Sequence, residues 1–293
     1  MNCKVVINKD SGNCEKLDVD ALLAALNCNA QVEMIDSNSN WSAKGFDTLV
    51  VCGGDGTLHN ALEKCRGKRL VYVPCGTLNE TALTNDKLTS LGKVNDSVFS
   101  YVCAAGTFTP IGYSAKNDGK KRWKSLAYLP QIFKTYRCCQ IAAELVVDGK
   151  KFDDSYTLLM VLKSHRCFGF SFNKDFKKTQ KNYLVAIKSA GADNLKNRAK
   201  IFFPFFRIFF CGARPQIRKN WMLLPFDNLT VKLRQPQDFC LDGEKRRLSG
   251  ELYFSELTLD RPVEVIKTPL VKRKNKKAFL PKNTQKSHEY FGF

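Results

Sequence analysis

The stretch Thr48-Leu49-Val50-Val51-Cys52-Gly53-Gly54-Asp55-Gly56-Thr57 begins as a β-strand and ends as a tight loop. Its first residues form an unbroken apolar run, as in a strand covered on both faces, and the residues that follow, Leu58 to Lys64, carry a helical pattern. Glycines at such a strand-to-helix junction let the backbone turn sharply and approach a phosphate closely. The free N–H groups at the helix start give that phosphate a positive pole. Asp55 adds a carboxylate that can organise Mg²⁺ or a proton relay beside the phosphates. The plainer alternative is a strand-to-helix turn with an aspartate cap.

Outward from this loop the α/β pattern continues. Cys3 to Ile7 and Leu70 to Val73 read as strands and Val19 to Leu26 as a helix, an alternation that predicts parallel strands with crossover helices. The strand at Leu70 runs into Pro74-Cys75-Gly76-Thr77-Leu78-Asn79 and then a short helix. Two parallel strands that each end in a Gly/Thr loop bring both loops to one carboxyl edge, where open α/β sheets bind nucleotides. Thr77 and Asn79 become candidate donors to a nucleotide; a Pro-Gly turn capped by Asn79 is the structural alternative.

From about residue 104 the character changes. Ile141 to Val147, Asp148-Gly149 and Phe152 to Leu162 predict a β-hairpin, because Asp-Gly supplies the positive φ angles of a primed turn. Strand-like runs recur at Tyr183–Ile187, Leu229–Leu233, Gly250–Leu259 and Val263–Ile266. Lys196 to Cys211 predicts a helix that Pro204 bends or interrupts. The expected organisation is an α/β nucleotide-binding domain over 1–106, a mainly antiparallel β domain over 107–270 and a mobile basic tail over 271–293. The third chemical signal, Leu241-Asp242-Gly243-Glu244, falls in the β-rich part and in isolation reads as a hairpin turn.

Composition narrows the function classes. The 293 residues carry 47 Lys+Arg against 28 Asp+Glu, a formal charge of +19 that draws anionic partners. No helix-turn-helix, RNA-recognition or zinc-finger pattern accompanies the charge, so nucleic acid is not expected and an anionic membrane surface is. No run approaches the roughly 20 apolar residues of a membrane span, so the expected place is the cytoplasm, with peripheral membrane association. The 12 cysteines contain no CxxC pair, and the three histidines, His59, His165 and His288, are far apart and not near paired cysteines; reduced thiols are expected, not a disulfide scaffold or structural zinc.

Taken together, the motifs resemble the diacylglycerol kinase catalytic family, which includes bacterial lipid kinases and sphingosine kinases. Gly53, Gly54, Asp55, Gly56 and Thr57 match that family's ATP-phosphate loop, and Pro74, Gly76, Thr77 and Asn79 match its Pro-x-Gly-Thr-x-Asn loop. Asn8, Lys9, Asp10, Ser11 and Gly12 approximate its early nucleotide loop, with Lys9 in place of proline. Asp242, Gly243 and Glu244 match its late Asp-Gly-Glu, whose glutamate is taken as the proton acceptor. The resemblance spans Asn8 to about Pro269. It implies a NAD-kinase-like α/β domain followed by a β-sandwich that closes the cleft, two domains and α+β overall. Two departures stand out. Asn60 replaces the usual glutamate after the first loop, and Thr179 to Tyr183 lacks the acidic stretch that holds a structural Mg²⁺ in relatives, so no metal is expected there.

The implied reaction is transfer of the γ-phosphoryl of Mg·ATP to the hydroxyl of a lipid such as diacylglycerol. It needs alignment and charge neutralisation more than covalent help. Asn8, Ser11, Gly12 and the two glycine loops would hold ATP, Asp55 would organise Mg²⁺ or the phosphates, and Glu244 would accept the substrate proton, with Asp242 as the alternative base. Lys116, Lys120, Lys121, Arg122 and Lys124, with the basic tail, are candidates for contact with anionic lipid. The aromatic run Ile201 to Phe210 reads as an interfacial anchor, an acyl-pocket wall or a buried helix. An NAD kinase-like enzyme acting on a soluble substrate and a non-catalytic nucleotide- or lipid-binding relative are the competing classes.

Overall fold

A computed structural model of the chain describes residues 2–267 except 27, 38, 66, 108, 110–136 and 168. The expected cation cluster at Lys116–Lys124 and the tail from 271 lie outside the described residues.

The first part is a parallel α/β unit of β1 (Cys3–Asn8), α1 (Val19–Leu26), β2 (Ala30–Ile35), β3 (Thr48–Gly53), α2 (Asp55–Lys64), β4 (Arg69–Pro74) and the short α3 (Glu80–Thr84). The strands are parallel in the order β2-β1-β3-β4. Every residue of β1 and β3 is buried. Successive side chains take opposite faces: Val5, Ile7, Val50 and Cys52 pack with Leu22 of α1, whereas Val6, Leu49 and Val51 pack with Leu58, Ala61 and Leu62 of α2. The α2 helix begins at Asp55, three residues before the expected Leu58, because the Gly54 carbonyl already accepts from Thr57 N (3.0 Å) and Leu58 N (3.1 Å). Strand β2 is absent from the sequence reading although Ala30 to Met34 alternate apolar and polar; it is an edge strand, largely solvent-facing, and its Val32 and Met34 are exposed.

The rest is mainly antiparallel. It comprises β5 (Lys87–Val94), β6 (Ser97–Phe99), β7 (Val102–Gly106), β8 (Ile141–Val147), β9 (Lys150–Leu162), β10 (Arg166–Cys167), β11 (Phe170–Ser171) and α4 (Phe176–Thr179). After these come β12 (Asn182–Lys188), α5 (Leu195–Phe209), β13 (Gln216–Ile217), β14 (Trp221–Phe226), β15 (Leu229–Leu233), β16 (Gln237–Leu241), β17 (Glu244–Leu248) and β18 (Glu251–Val265). The expected β8–β9 hairpin closes through Asp148 (φ 45°) and Gly149 (φ 85°). One expectation is corrected. Gly250–Leu259 and Val263–Ile266 are not separate strands but one strand, β18, whose register shifts between Thr258 and Val263. Its first residues pair with β15, its middle with β5, and its last, Glu264 and Val265, run parallel to β4, so it ties the antiparallel part to the parallel sheet.

Of the two outcomes expected at Pro204, interruption does not occur: α5 is continuous through it. Proline in a helix removes one backbone hydrogen bond at a cost of about 3 kcal/mol or more. Burial of Ile201, Phe205, Ile208 and Phe209 against the sheet offsets this, since each large apolar side chain contributes about 1.5–3 kcal/mol. The β12, β9 and β14 strands present Val185, Leu158, Met160 and Leu223 to that helix, while Leu184, Leu159, Val161 and Met222 face the interior of the β-rich part. All twelve cysteines are free, and Cys3, Cys52, Cys65, Cys75, Cys103, Cys167 and Cys240 are buried.

Candidate functional site

The parallel order β2-β1-β3-β4 sends the loops after β1, β2, β3 and β4 to the same carboxyl edge, and the order reverses between β1 and β3. A cleft of about 1100 Å³, open solvent at its mouth included, lies there. Asn8, Ser11, Gly12, Gly54, Asp55, Gly56, Thr57, Gly76, Thr77, Asp242 and Glu244 all line it. Of the sequence candidates only Gly53 and Asn79 sit behind the lining.

The loops are bound to one another by short polar contacts. Asn8 Nδ2 donates to Thr57 Oγ1 at 2.9 Å, and Asn13, which the sequence reading passed over, donates its Nδ2 to the Gly76 carbonyl at 2.7 Å. The Gly53 carbonyl accepts from Cys75 N (2.7 Å) and Gly76 N (3.1 Å). Asn79 has φ 49° and bonds Gly76 in both directions: its Oδ1 accepts from Gly76 N at 2.7 Å and its Nδ2 donates to Gly76 O at 2.9 Å. It braces the loop from behind. A side chain at Gly76 would put its Cβ 2.6 Å from Gly54 Cα, and one at Gly12 would lie 2.3 Å from Thr77 Oγ1. Backbone thus meets backbone at Gly76 and a threonine hydroxyl at Gly12, and glycine at both leaves room for an anion against the cradle.

Asp55 is turned toward α3. Its Oδ2 accepts from Glu80 N at 2.8 Å and its Oδ1 from Thr81 N at 3.1 Å. A side chain from the first loop therefore caps the helix that follows the second. Burial pushes its pKa up to about 6, against the opposing pull of those bonds from Thr81 and Glu80. Glu80 is itself buried, accepting from Arg166 Nε at 3.1 Å and from Gly169 N.

The Asp242–Glu244 turn enters from the other side. Asp242 (φ 50°) and Gly243 (φ 97°) make a two-residue left-handed turn between β16 and β17. The turn reading of the sequence and the functional reading therefore coincide. Asp242 is 1 % exposed. Its Oδ2 accepts from Ser100 N (2.5 Å) and Ser100 Oγ (3.0 Å), and its Oδ1 from Tyr101 N (3.0 Å) and Val102 N (3.1 Å). This carboxylate is a clamp on the chain between β6 and β7, with no room for a substrate hydroxyl. Glu244, two residues on, is half-buried and lines the cleft; its Oε1 lies 3.3 Å from where a Cβ on Gly56 would stand. The glutamate thus faces the first turn of α2.

His59 joins the two sides. Wholly buried on α2, it places Nδ1 3.4 Å from Asp242 Oδ2 and Nε2 3.7 Å from Glu63 Oε1, and Glu63 pairs with Arg246 of β17 at 2.9 Å. Burial alone would lower its pKa, but Asp242, then Glu63 and Glu244, raise it above the usual histidine value. In the sequence His59 is one residue of a helix, with no spacing to mark it.

Further along the cleft, Ile35, Asp36, Ser37, Ser39 and Trp41 form a wall that the sequence reading missed because it follows the unrecognised β2. Asp36 stands beyond the end of β2, the position from which open α/β sheets present an acid to a ribose. Asn60, in place of the family's glutamate, also lines the cleft. At Thr179–Tyr183, Gln180 takes φ 52° and its carbonyl accepts from buried Lys163 Nζ at 2.7 Å; Lys163 also pairs with Glu256 at 2.8 Å. An ammonium group supplies the positive charge at this bend. Among the described residues no three His, Cys, Asp or Glu side chains gather as a metal site. A divalent ion in the cleft would fit as one shared between substrate phosphates and one or two carboxylates, the usual manner of Mg²⁺.

Residues 2–93 match the family model of the diacylglycerol kinase catalytic domain. No curated protein matches the sequence. The fold is that of a diacylglycerol kinase from Bacillus anthracis str. Sterne, at TM-score 0.60 and 15% identity over 92% of this chain and 98% of that one. A second structure from the same organism, named provisionally for the same activity, gives TM-score 0.63 and 16% identity over 92% and 97%. An NAD kinase from Archaeoglobus fulgidus in complex with ATP aligns at TM-score 0.47 and 15% identity over 90% and 93%. The matched residues 2–93 contain both glycine loops and the Asn8–Gly12 loop, and the bacterial structures share the fold over most of the chain.

Proposed function

We propose that this chain is an ATP-dependent lipid kinase that phosphorylates the hydroxyl of diacylglycerol or a related lipid alcohol. One observation carries the reading: two glycine loops and a glutamate from a distant hairpin line a single cleft, with Glu244 beside Gly56. The names of the similar bacterial structures and the family model favour a lipid acceptor over a soluble one.

In this reading the amides around Gly54–Thr57 and Gly76–Thr77 hold the phosphates of ATP, and Asn8 and Thr57 keep the first two loops in register. Magnesium, when bound with ATP, would neutralise charge on the transferring phosphoryl group. Asp55 acts by fixing α3 and the Gly76 loop in place, with its remaining lone pairs toward the cleft. Glu244 accepts the proton of the lipid hydroxyl as its oxygen attacks, and Asp242 holds the turn so that Glu244 points there. Asp36 and Trp41 lie where the nucleoside would rest.

Incubation with labelled ATP and a panel of lipid alcohols, with NAD in parallel, tests the reading. Phosphorylation of one lipid class is expected. Labelling of NAD alone would make the chain a soluble-substrate kinase, and no transfer despite ATP binding would make it a non-catalytic relative.

A further inference from the structure

Helix α5 carries two apolar stripes, and the fold buries one of them. Ile201, Phe205, Ile208 and Phe209 face the sheet and are at most 7% exposed. At helical spacing the outward stripe is Leu195, Ala199, Phe203, Phe206 and the C-cap residue Phe210. Leu195 is 83% exposed, Phe203 70% and Phe206 41%. The rings are contiguous. Phe206 stacks on Phe210 with centroids 5.2 Å apart, and Phe210 meets Phe170 of β11 at 4.5 Å. The strip then reaches the cleft: a Cβ on Gly169, next to Phe170, would lie 3.8 Å from Leu78, an exposed residue of the cleft lining.

Charge identifies the occupant. The helix contains no acidic residue, and Lys196, Lys200 and Arg207 fall together along one edge of the outward stripe. Arg198, which projects to another side, is paired with Asp193 at 2.6 Å. A surface helix of a globular protein is ordinarily polar outward. An aromatic stripe bordered by cations is instead the pattern of a helix lying in a lipid–water interface, where rings enter the acyl boundary and ammonium and guanidinium groups meet headgroup phosphates. A second copy of the chain is a poor occupant, because it would set like cations face to face on two molecules of formal charge +19.

We infer that the outward face of α5, continued by Phe170, docks on an anionic bilayer and brings the Leu78 rim of the cleft to the membrane. The inference takes its purpose from the lipid-kinase reading, but the docking stands or falls separately. Full-length protein is sedimented with vesicles of phosphatidylcholine, with and without phosphatidylglycerol, while its oligomeric state is followed by light scattering. The double variant Phe203→Ser/Phe206→Ser is expected to weaken vesicle binding on the order of tenfold or more. Lys196→Gln and Lys200→Gln should each weaken it on the order of fivefold, on anionic vesicles only. Neither set should change ATP affinity or the phosphorylation of a short-chain lipid alcohol dispersed as monomers. Vesicle binding untouched by both sets would overturn the inference. So would a wild-type dimer that the phenylalanine variant dissociates, because the occupant would then be a second copy. Vesicle binding that follows the variants in a protein that phosphorylates no lipid alcohol would uphold the docking and remove the lipid-kinase reading.

Discussion

The glycine-loop edge and the Asp242–Glu244 turn face each other across one cleft, and they are held there by different means. The loop edge is local: Gly54 and Gly76 meet backbone to backbone, Gly12 lies against Thr77, and Asn8, Asn13 and Asn79 tie three neighbouring strand ends together. The turn is held at long range. One buried carboxylate, Asp242, collects Ser100, Tyr101 and Val102, and His59 reaches it from α2. A loop edge built from many weak contacts should lose function gradually, whereas a turn on one anchor should fail at that anchor.

Replacement of Glu244 should produce the largest effect. Glu244→Gln keeps the shape but cannot accept a proton, and turnover should fall on the order of 10²–10⁴ with ATP affinity nearly unchanged. Steady-state kinetics beside nucleotide titration checks this. Lost ATP affinity would assign Glu244 to the loop edge and dissolve the contrast.

Asp242→Ala should come next, because it leaves three backbone N–H groups without their acceptor. Orphaned buried groups cost about 1–3 kcal/mol each, so a loss of about 3–5 kcal/mol in denaturant unfolding is expected. Asp242→Asn, which keeps an acceptor oxygen, should lose less and retain ATP binding. If Asp242→Ala unfolds like wild type, the turn has other anchors.

On the loop edge, Gly76→Ala should cost about 1–3 kcal/mol through overpacking against Gly54 and should raise the KM for ATP more than it lowers turnover. A pure fall in turnover would mean that the cradle serves the transition state rather than nucleotide binding.

The smallest effects separate the two regions by pH. Asp55 has its pKa raised from 3.8 to about 6, so the fold favours its protonated form, and its contribution to stability is lost as pH rises from 3.8 through 6. His59 is raised above 6.5; its contribution is complete below that value and is lost as pH rises through the folded pKa. The melting temperature should therefore decline with rising pH in two windows. Asp55→Asn should flatten the lower and His59→Asn the upper. Identical profiles for both variants would mean that the two sites titrate as one.

Much of the cleft was legible because its signals are local. Gly53 to Thr57 and Pro74 to Asn79 announce loops at strand ends, since glycine and asparagine are needed wherever the backbone turns tightly or takes positive φ. The wall at Asp36–Trp41 was missed because it follows β2, a short edge strand whose apolar–polar alternation over Ala30 to Met34 was not read as a strand. At Pro204 the sequence left a bend and a break both open: the cost of a proline is visible in sequence, and the burial that keeps the helix unbroken is not.

The sequence by itself determined the parallel unit, the carboxyl edge where the loops meet and the identity of the groups that gather there, because strand pattern and turn chemistry act over a few residues. Only the tertiary structure decided what those groups do. It turned Asp55 toward the amides of α3, shut Asp242 away as a clamp and left Glu244 in the cleft, although all three are carboxylates beside glycine in the sequence. A carboxylate's role follows from which N–H groups and how much water surround it, and those neighbours come from strands and helices far along the chain.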